Sequence, residues 1–352
     1  MVERLRDASF EEERPGMTEL RREPILRRWV VITSRRWEAL MGLLSQQRGQ
    51  EGDLCPFCPG HEARTPPEIF AIRDPHTPPN GKGWRVRVVP NKVPFFRIEG
   101  VIEKSAAGIY DRMTGIGAHE IVIETPAHEA DWGTIDVSHL EGILRAYRER
   151  SLDLRRDKRF RQIVITRNYG PGLALLSHPH SHVVALTVIL KRIEEELRGA
   201  LEYYERKERC PYCDTIRQEL QSGERVIRET KAFLAFAPFA ARYPLEAWVI
   251  PKAHGHDFGA LGDLELKDLA GLLQDLAGRI RRLLLGPAYS LVLHTSPLQT
   301  YAEPRYHWHL ELRVRLPIAE GFEWGTGFFV NPIAPEEAAK RLRAVAEEGG
   351  LP

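Results

Sequence analysis

Short apolar runs, many alternating with polar residues and closed by turn residues, predict strands at WVVIT (29–33), WRVRVVPN (84–91), HEIVIET (119–125), RQIVITRN (161–168) and HVVALTVI (182–189). The same pattern returns at FLAFAP (233–238), EAWVIPK (246–252), SLVLHTS (290–296) and HWHLELRVRL (307–316). Apolar positions at three- and four-residue spacing predict helices over 137–157, 188–208, 264–285 and 335–348. A long helix thus falls between a strand ending near His128 and one beginning near His178, and again between those near His254 and His307. The expected fold class is α+β, with an antiparallel sheet and packed helices in each of two halves, 17–190 and 191–352, linked through 188–209. The charged, apolar-poor residues 1–16 are expected to be a disordered arm.

Composition narrows the function classes. Fifty basic and 49 acidic residues leave a net charge of +1 and no basic excess for a nucleic-acid partner. The longest apolar run, VVALTVIL (183–190), falls far short of the roughly 18–20 residues that span a bilayer, and the N-terminus has no apolar leader. These features predict a cytoplasmic protein with small ligands, no membrane and no nucleic acid.

The four cysteines fall in two pairs, CPFC (Cys55, Cys58) and CPYC (Cys210, Cys213). Two thiolates at that spacing fill two corners of a zinc tetrahedron, although a redox pair or buried thiols would share the pattern. Downstream of each pair comes a strand-like run closed by Pro and His (Pro126 and His128; Pro251 and His254). A histidine-rich strand follows at a nearly equal interval, HPHSHVVAL from His178 and HWHLELRV from His307. Recurrence in the same order signals an internal repeat. It yields two candidate sets, Cys55, Cys58, His128 and His178, and Cys210, Cys213, His254 and His307, hence two zinc ions per chain. His119, His256 and His309 compete with the assigned ligands, His309 most directly with His307.

His178, His180 and His182 occur at every second position, so on a strand they would line one face. With His178 on a metal, His180 is held rigidly beside it as a candidate nucleophile or base. The preceding TRNYGPGLALLS, with Asn168, Gly170 and Gly172, reads as a turn-rich loop whose backbone N–H groups can bind a phosphate. An imidazole beside a phosphate can attack phosphorus, because neutral histidine is nucleophilic and the P–N bond can be passed on.

HPHSH preceded by Asn-x-Gly, together with CPFCPG, VRVVPNKVPFF, HEIVIETPAH and GFEWGTGFFVNPIAPEEAAKRLR, resembles the galactose-1-phosphate uridylyltransferase family of the histidine-triad superfamily, from about residue 20 to residue 348. The resemblance implies two histidine-triad-like halves and a ping-pong reaction. In it His180 attacks the α-phosphorus of a nucleotide sugar such as UDP-glucose, releases a sugar 1-phosphate, and passes the nucleotidyl group to a hexose 1-phosphate, as in galactose metabolism. It matches the first Cys/His set to the family's first metal site, and the second to the all-Cys/His form of the related ADP-glucose phosphorylases. It also implies Asn91 at the nucleoside, Asn168 at the nucleotide phosphate, Glu323 and Gly325 at the hexose, and a homodimer.

Three positions depart from the family pattern. His182 stands where the family has a glutamine that hydrogen-bonds the phosphoryl oxygens, Ala174, Leu175 and Leu176 replace a Gly-Ala-Ser-like segment, and of an Arg-x-x-Arg pair Arg36 is present while Ala39 takes the second place. A neutral imidazole has one N–H, so stabilisation by His182 depends on its tautomer. Two other readings stay open: a phosphorylase or hydrolase using the same covalent step, and a zinc-stabilised nucleotide-binding protein without turnover.

Overall fold

The computed structural model describes residues 18–22, 29–32, 55–170, 172–174, 176–284, 288–300, 304–315 and 321–347. The predicted arm over 1–16 and Arg36 lie outside them. In chain order the elements are β1 (Glu19–Arg22), β2 (Trp29–Ile32), β3 (Phe70–Arg73), β4 (Trp84–Pro90), β5 (Lys104–Ala107), β6 (Tyr110–Thr114), β7 (Gly117–Ile123), α1 (Val137–Leu154), β8 (Gln162–Tyr169) and β9 (His180–Leu186). Then follow α2 (Lys191–Lys207), α3 (Pro211–Ser222), β10 (Val226–Glu229), β11 (Phe233–Phe236), β12 (Ala247–Pro251), α4 (Asp263–Leu283), β13 (Ala288–His294), β14 (His309–Arg315), α5 (Gly321–Thr326) and α6 (Pro335–Glu347).

Two compact units hold these elements. One comprises Met1–Gly49 and Phe95–Ile116, and its described strands form the sheet β2-β1-β6-β5. The other comprises Gln50–Pro94 and Gly117–Pro352, and carries a ten-stranded antiparallel sheet in the order β10-β11-β12-β14-β13-β8-β9-β7-β4-β3. The order is symmetric about the β8–β13 pair. Moving outward, β9, β7, β4 and β3 on one side take the places of β14, β12, β11 and β10 on the other. The fold is therefore α+β on antiparallel sheets, and the stretches 17–190 and 191–352 meet inside one continuous sheet. Among the described residues no helix is long and apolar enough to cross a membrane.

Helices α1 and α4 cover one face of the large sheet, while Glu196 of α2 and Tyr212 of α3 reach side chains on the other. In α1, Leu140, Ile143, Leu144, Tyr147 and Leu154 recur at helical spacing and are buried; in α4, Leu266, Leu269, Leu273, Leu276 and Ile280 do the same. They share one core with Val122 and Val183, which are the side chains that β7 and β9 turn toward the helices. Burying such a side chain contributes about 1.5–3 kcal/mol, enough to fix each strand's register, because a one-residue slip would exchange its faces.

A charged pair sits inside this core. Glu124 accepts hydrogen bonds from Arg167 Nε at 3.0 Å, Trp132 Nε1 at 3.0 Å and the Ser181 hydroxyl. The Arg167 terminal nitrogens have no described acceptor, and the guanidinium instead rests 4.5 Å from the Trp132 ring centroid and 5.2 Å from that of Tyr289 on β13. Arg167→Met strips the buried carboxylate of its counter-charge and is expected to cost about 3–5 kcal/mol in urea unfolding. The double variant Glu124→Gln/Arg167→Met should cost less than Arg167→Met alone. Equal costs would contradict the pairing.

Candidate active site and metal sets

The histidine strand lies near the middle of the sheet, paired with β7 on one side and β8 on the other. Register places His180 opposite Ile123 and His182 opposite Ile121, so these side chains share the face away from α1 and α4, with Ser181 turned into the core. The strand begins at His180, not at His178 as the alternation predicts. Pro179 has no N–H for the ladder, so His178 sits on the preceding bend.

That bend delivers His178 to the cysteines. Its Nδ1 lies 3.7 Å from Cys55 Sγ and 3.6 Å from Cys58 Sγ, while His128 Nδ1 lies 3.3 Å from Cys58 Sγ. A tetrahedral ion with metal–S near 2.3 Å and metal–N near 2.0 Å separates S and N ligands by about 3.5 Å. The donors already stand at that spacing. The outer nitrogens are also held: His178 Nε2 donates to Thr125 O at 2.7 Å, and His128 Nε2 pairs with Ser177 Oγ at 3.0 Å, which directs both Nδ1 lone pairs inward. Burial pushes the His178 pKa down to about 4, the neutral form a ligand needs. Cys58 is pushed up to about 11, first by burial and then by Cys55, a crowding of thiolates that a cation between them relieves.

The second half repeats the geometry. Cys213 Sγ stands 3.3 Å from His254 Nδ1 and 3.7 Å from His307 Nδ1, Cys210 completes the set, and His307 Nε2 donates to Pro251 O at 2.9 Å. Hydrogen bonds from Cys210 and His307 draw the Cys213 thiol down to about 4. In each half the accepting carbonyl lies three residues before the Pro-and-His histidine. Both sets can hold a metal ion, and the structure brings all eight expected ligands together as two groups.

His180 donates from Nδ1 to the His178 carbonyl at 2.8 Å. The remaining lone pair of the neutral ring is then on Nε2. Burial lowers the His180 pKa, which favours that neutral form, and Phe57 from CPFC packs edge-on at 5.3 Å. His309 takes the corresponding place in the second half, donating from Nδ1 to His307 O at 3.1 Å with Tyr212 from CPYC at 5.4 Å. The two environments differ, however. His309 is fully buried, stacked at 4.7 Å on Trp248 and grouped with Glu196, His294 and Glu311, whereas His180 keeps 7% of its surface. Both rings are buried, but His180 retains a small exposed surface where His309 retains none.

Glu196, His294 and Glu311 were not among the expected site residues. Alternation of His307, His309 and Glu311 was visible in HWHLE, but Glu196 reaches this group from the linking helix α2, and no local pattern marks that. His294 holds Glu196 at 2.9 Å, while Arg192 and Arg242 bind Glu196 and Glu311, so the carboxylates are already compensated. His119, read as a competing ligand, instead pairs with His182, Nε2 to Nδ1, at 2.9 Å. His256 joins neither metal set among the described residues.

Of the positions implied for substrate, Asn91 lies against His119, and Asn168, next to the last residue of β8, accepts at Oδ1 from Ser290. Gly170 (φ 96°) and Gly172 (φ 75°) adopt left-handed backbone that a side chain would strain, giving the sharp turn ahead of the histidines. Glu323 and Gly325 lie on the short helix α5, with no described hydrogen bond to the histidine strand.

A family model described as galactose-1-phosphate uridyl transferase, C-terminal domain, matches residues 196–348. The galactose-1-phosphate uridylyltransferase of Thermotoga maritima is 27% identical over 94% of this chain and 100% of its own length. The ADP-glucose phosphorylase of Arabidopsis thaliana is 34% identical over 93% of each chain. The chain belongs to the galactose-1-phosphate uridylyltransferase family. A crystal structure of an Arabidopsis thaliana ADP-glucose phosphorylase with bound ADP-glucose superposes with a TM-score of 0.71 at 33% identity, covering 93% of this chain and 98% of that one. As a galactose-1-phosphate uridylyltransferase family member, the chain matches these relatives across both Cys/His sets, not over one half alone.

Proposed function

We propose that the protein is a nucleotidyltransferase acting on a nucleotide sugar, with zinc in both Cys/His sets and His180 as its covalent nucleophile. The observation that carries this reading is the bond from His180 Nδ1 to the His178 carbonyl, which fixes the neutral tautomer with its lone pair on Nε2. Nε2 attacks the α-phosphorus, a P–N bond forms as the phosphoanhydride bond to the sugar 1-phosphate breaks, and an acceptor oxygen then displaces the histidine. Zinc supplies rigidity here: Cys55, Cys58, His128 and His178 would hold it, and the last of these anchors His180. Asn91 and Asn168 are assigned to the nucleotide end, and Gly170 to the phosphate turn. Glu323 and Gly325 are assigned to the sugar, in a homodimer. Four metal-committed thiols fit a reducing, cytoplasmic setting.

Two acceptors besides water are in play. A hexose 1-phosphate gives the uridylyltransferase reaction. Inorganic phosphate gives a phosphorolysis, favoured by the likeness to ADP-glucose phosphorylase and by His182 in the glutamine position. The test is the intact mass of the zinc-loaded protein after mixing with UDP-glucose or ADP-glucose. An acid-labile nucleotidyl adduct identifies the base; galactose 1-phosphate, phosphate or buffer added to the adduct identifies the acceptor. No adduct and no released sugar 1-phosphate from either donor would leave a binding protein without turnover.

A further inference from the structure

The bond between His119 and His182 joins two imidazoles with rings 5.1 Å apart, and such a bond holds one proton. If His182 donates through Nδ1, the neutral ring presents a lone pair at Nε2 and repels a phosphoryl oxygen. If it accepts at Nδ1, its own proton is on Nε2 and it can donate. The direction of the bond to His119 therefore bears on what His182 can do, a choice a glutamine amide in that position would never face.

The surroundings of His119 keep it in place. It is 4% exposed, on β7, between β4 and β9. Its carbonyl accepts the Asn91 backbone N–H at 2.8 Å, and the Asn91 side-chain nitrogen lies 3.2 and 3.4 Å from its two ring nitrogens. Near-equal distances to both nitrogens put the amide over the ring face. Val93 N–H donates to the amide oxygen at 3.0 Å, which turns the amide hydrogens toward the imidazole and favours an electron-rich neutral ring.

We propose that His119 is a positioning residue: its Nε2–H donates to His182 Nδ1 and holds His182 as the Nε2–H tautomer, which donates to a phosphoryl oxygen of the nucleotidyl-His180 intermediate. The proposal rests on the reaction assigned above. His119→Phe in the zinc-loaded protein is expected to slow adduct formation about 10- to 100-fold, as loss of an orienting partner typically does. His119→Gln keeps a donor and should recover most of that loss. On the H182Q background, where the donor needs no tautomer, His119→Phe should change the rate less than twofold. Equal losses on both backgrounds, or no loss on either, overturn the proposal. Imidazole ¹⁵N spectra read the tautomer without turnover: His182 protonated at Nε2 in the native protein is the expected result, and protonation at Nδ1 refutes the inference. If no protein forms an adduct, the reaction reading fails alone, and the spectrum still decides the tautomer.

Discussion

His180→Ala is expected to lower the rate of nucleotide-sugar turnover by at least about 10⁴-fold, or about 5.5 kcal/mol of transition-state stabilisation. A covalent nucleophile has no substitute within a ping-pong cycle, because water in its place must attack from an unoriented position and regenerates nothing that the acceptor can use. The ring makes one described backbone hydrogen bond, to the His178 carbonyl, and ligates no metal in the proposed arrangement. Both zinc ions should therefore remain in native mass spectra, and the urea midpoint should fall only by the packing lost against Phe57. The second half predicts the contrast. His309→Ala removes the histidine in the equivalent place, but that ring is stacked on Trp248 and closed off, so its loss is expected to cost stability and leave turnover per folded molecule within a few-fold. Residual activity within tenfold in His180→Ala, or a 10⁴-fold loss in His309→Ala with an unchanged urea midpoint, would reverse the assignment.

The sequence was legible where one interaction dominates. Strands that bury β-branched residues on both neighbours' sides, such as HEIVIET and RQIVITRN, announced themselves by pattern. β1 (ELRR), β5 (KSAA) and β6 (YDRMT) did not, because in the small sheet only Leu20 and Met113 are buried along them. The helix starting at CPYC was equally faint: Pro211 at its first turn favours initiation, but the helix buries only Ile216 and Glu219 and so carries little apolar periodicity. The two Cys/His groups were readable because the motifs recur: each member of one group has a counterpart in the same order in the other, although the interval from the second cysteine to the Pro-and-His histidine is 70 residues in one half and 41 in the other. What a repeat cannot show is divergence. Register with His178 chose His307 over His309 as the cysteines' partner, and the structure agrees, but the enclosure of His309 lay outside the pattern, and the pairing of His119 depended on a cross-strand neighbour 63 residues away.

Loss of one metal set is expected to reach the chemistry, and loss of the other to stop at stability. Cys58→Ala and Cys213→Ala should each leave one zinc per chain. Ligand sets of this kind contribute folding free energy directly, about 10–16 kcal/mol for zinc in zinc-finger peptides. Within a larger sheet held by its own core, a loss of several kcal/mol is the expected scale, lowering Tm by roughly 10 °C or more. The difference lies in what each set anchors. The first fixes His178, whose carbonyl holds His180 Nδ1, so without it the proposed nucleophile loses its tautomer and its aim. The second fixes His307, whose carbonyl holds only the enclosed His309. Adduct formation per folded molecule should thus fall at least tenfold in Cys58→Ala and stay within twofold in Cys213→Ala, measured by native mass spectrometry alongside urea unfolding. Chelator treatment of the native protein should reproduce both losses together. Equal chemical losses in the two variants would mean that the metal sets stabilise one cooperative sheet without distinction; two fully stable variants would remove the case for structural metal in either half.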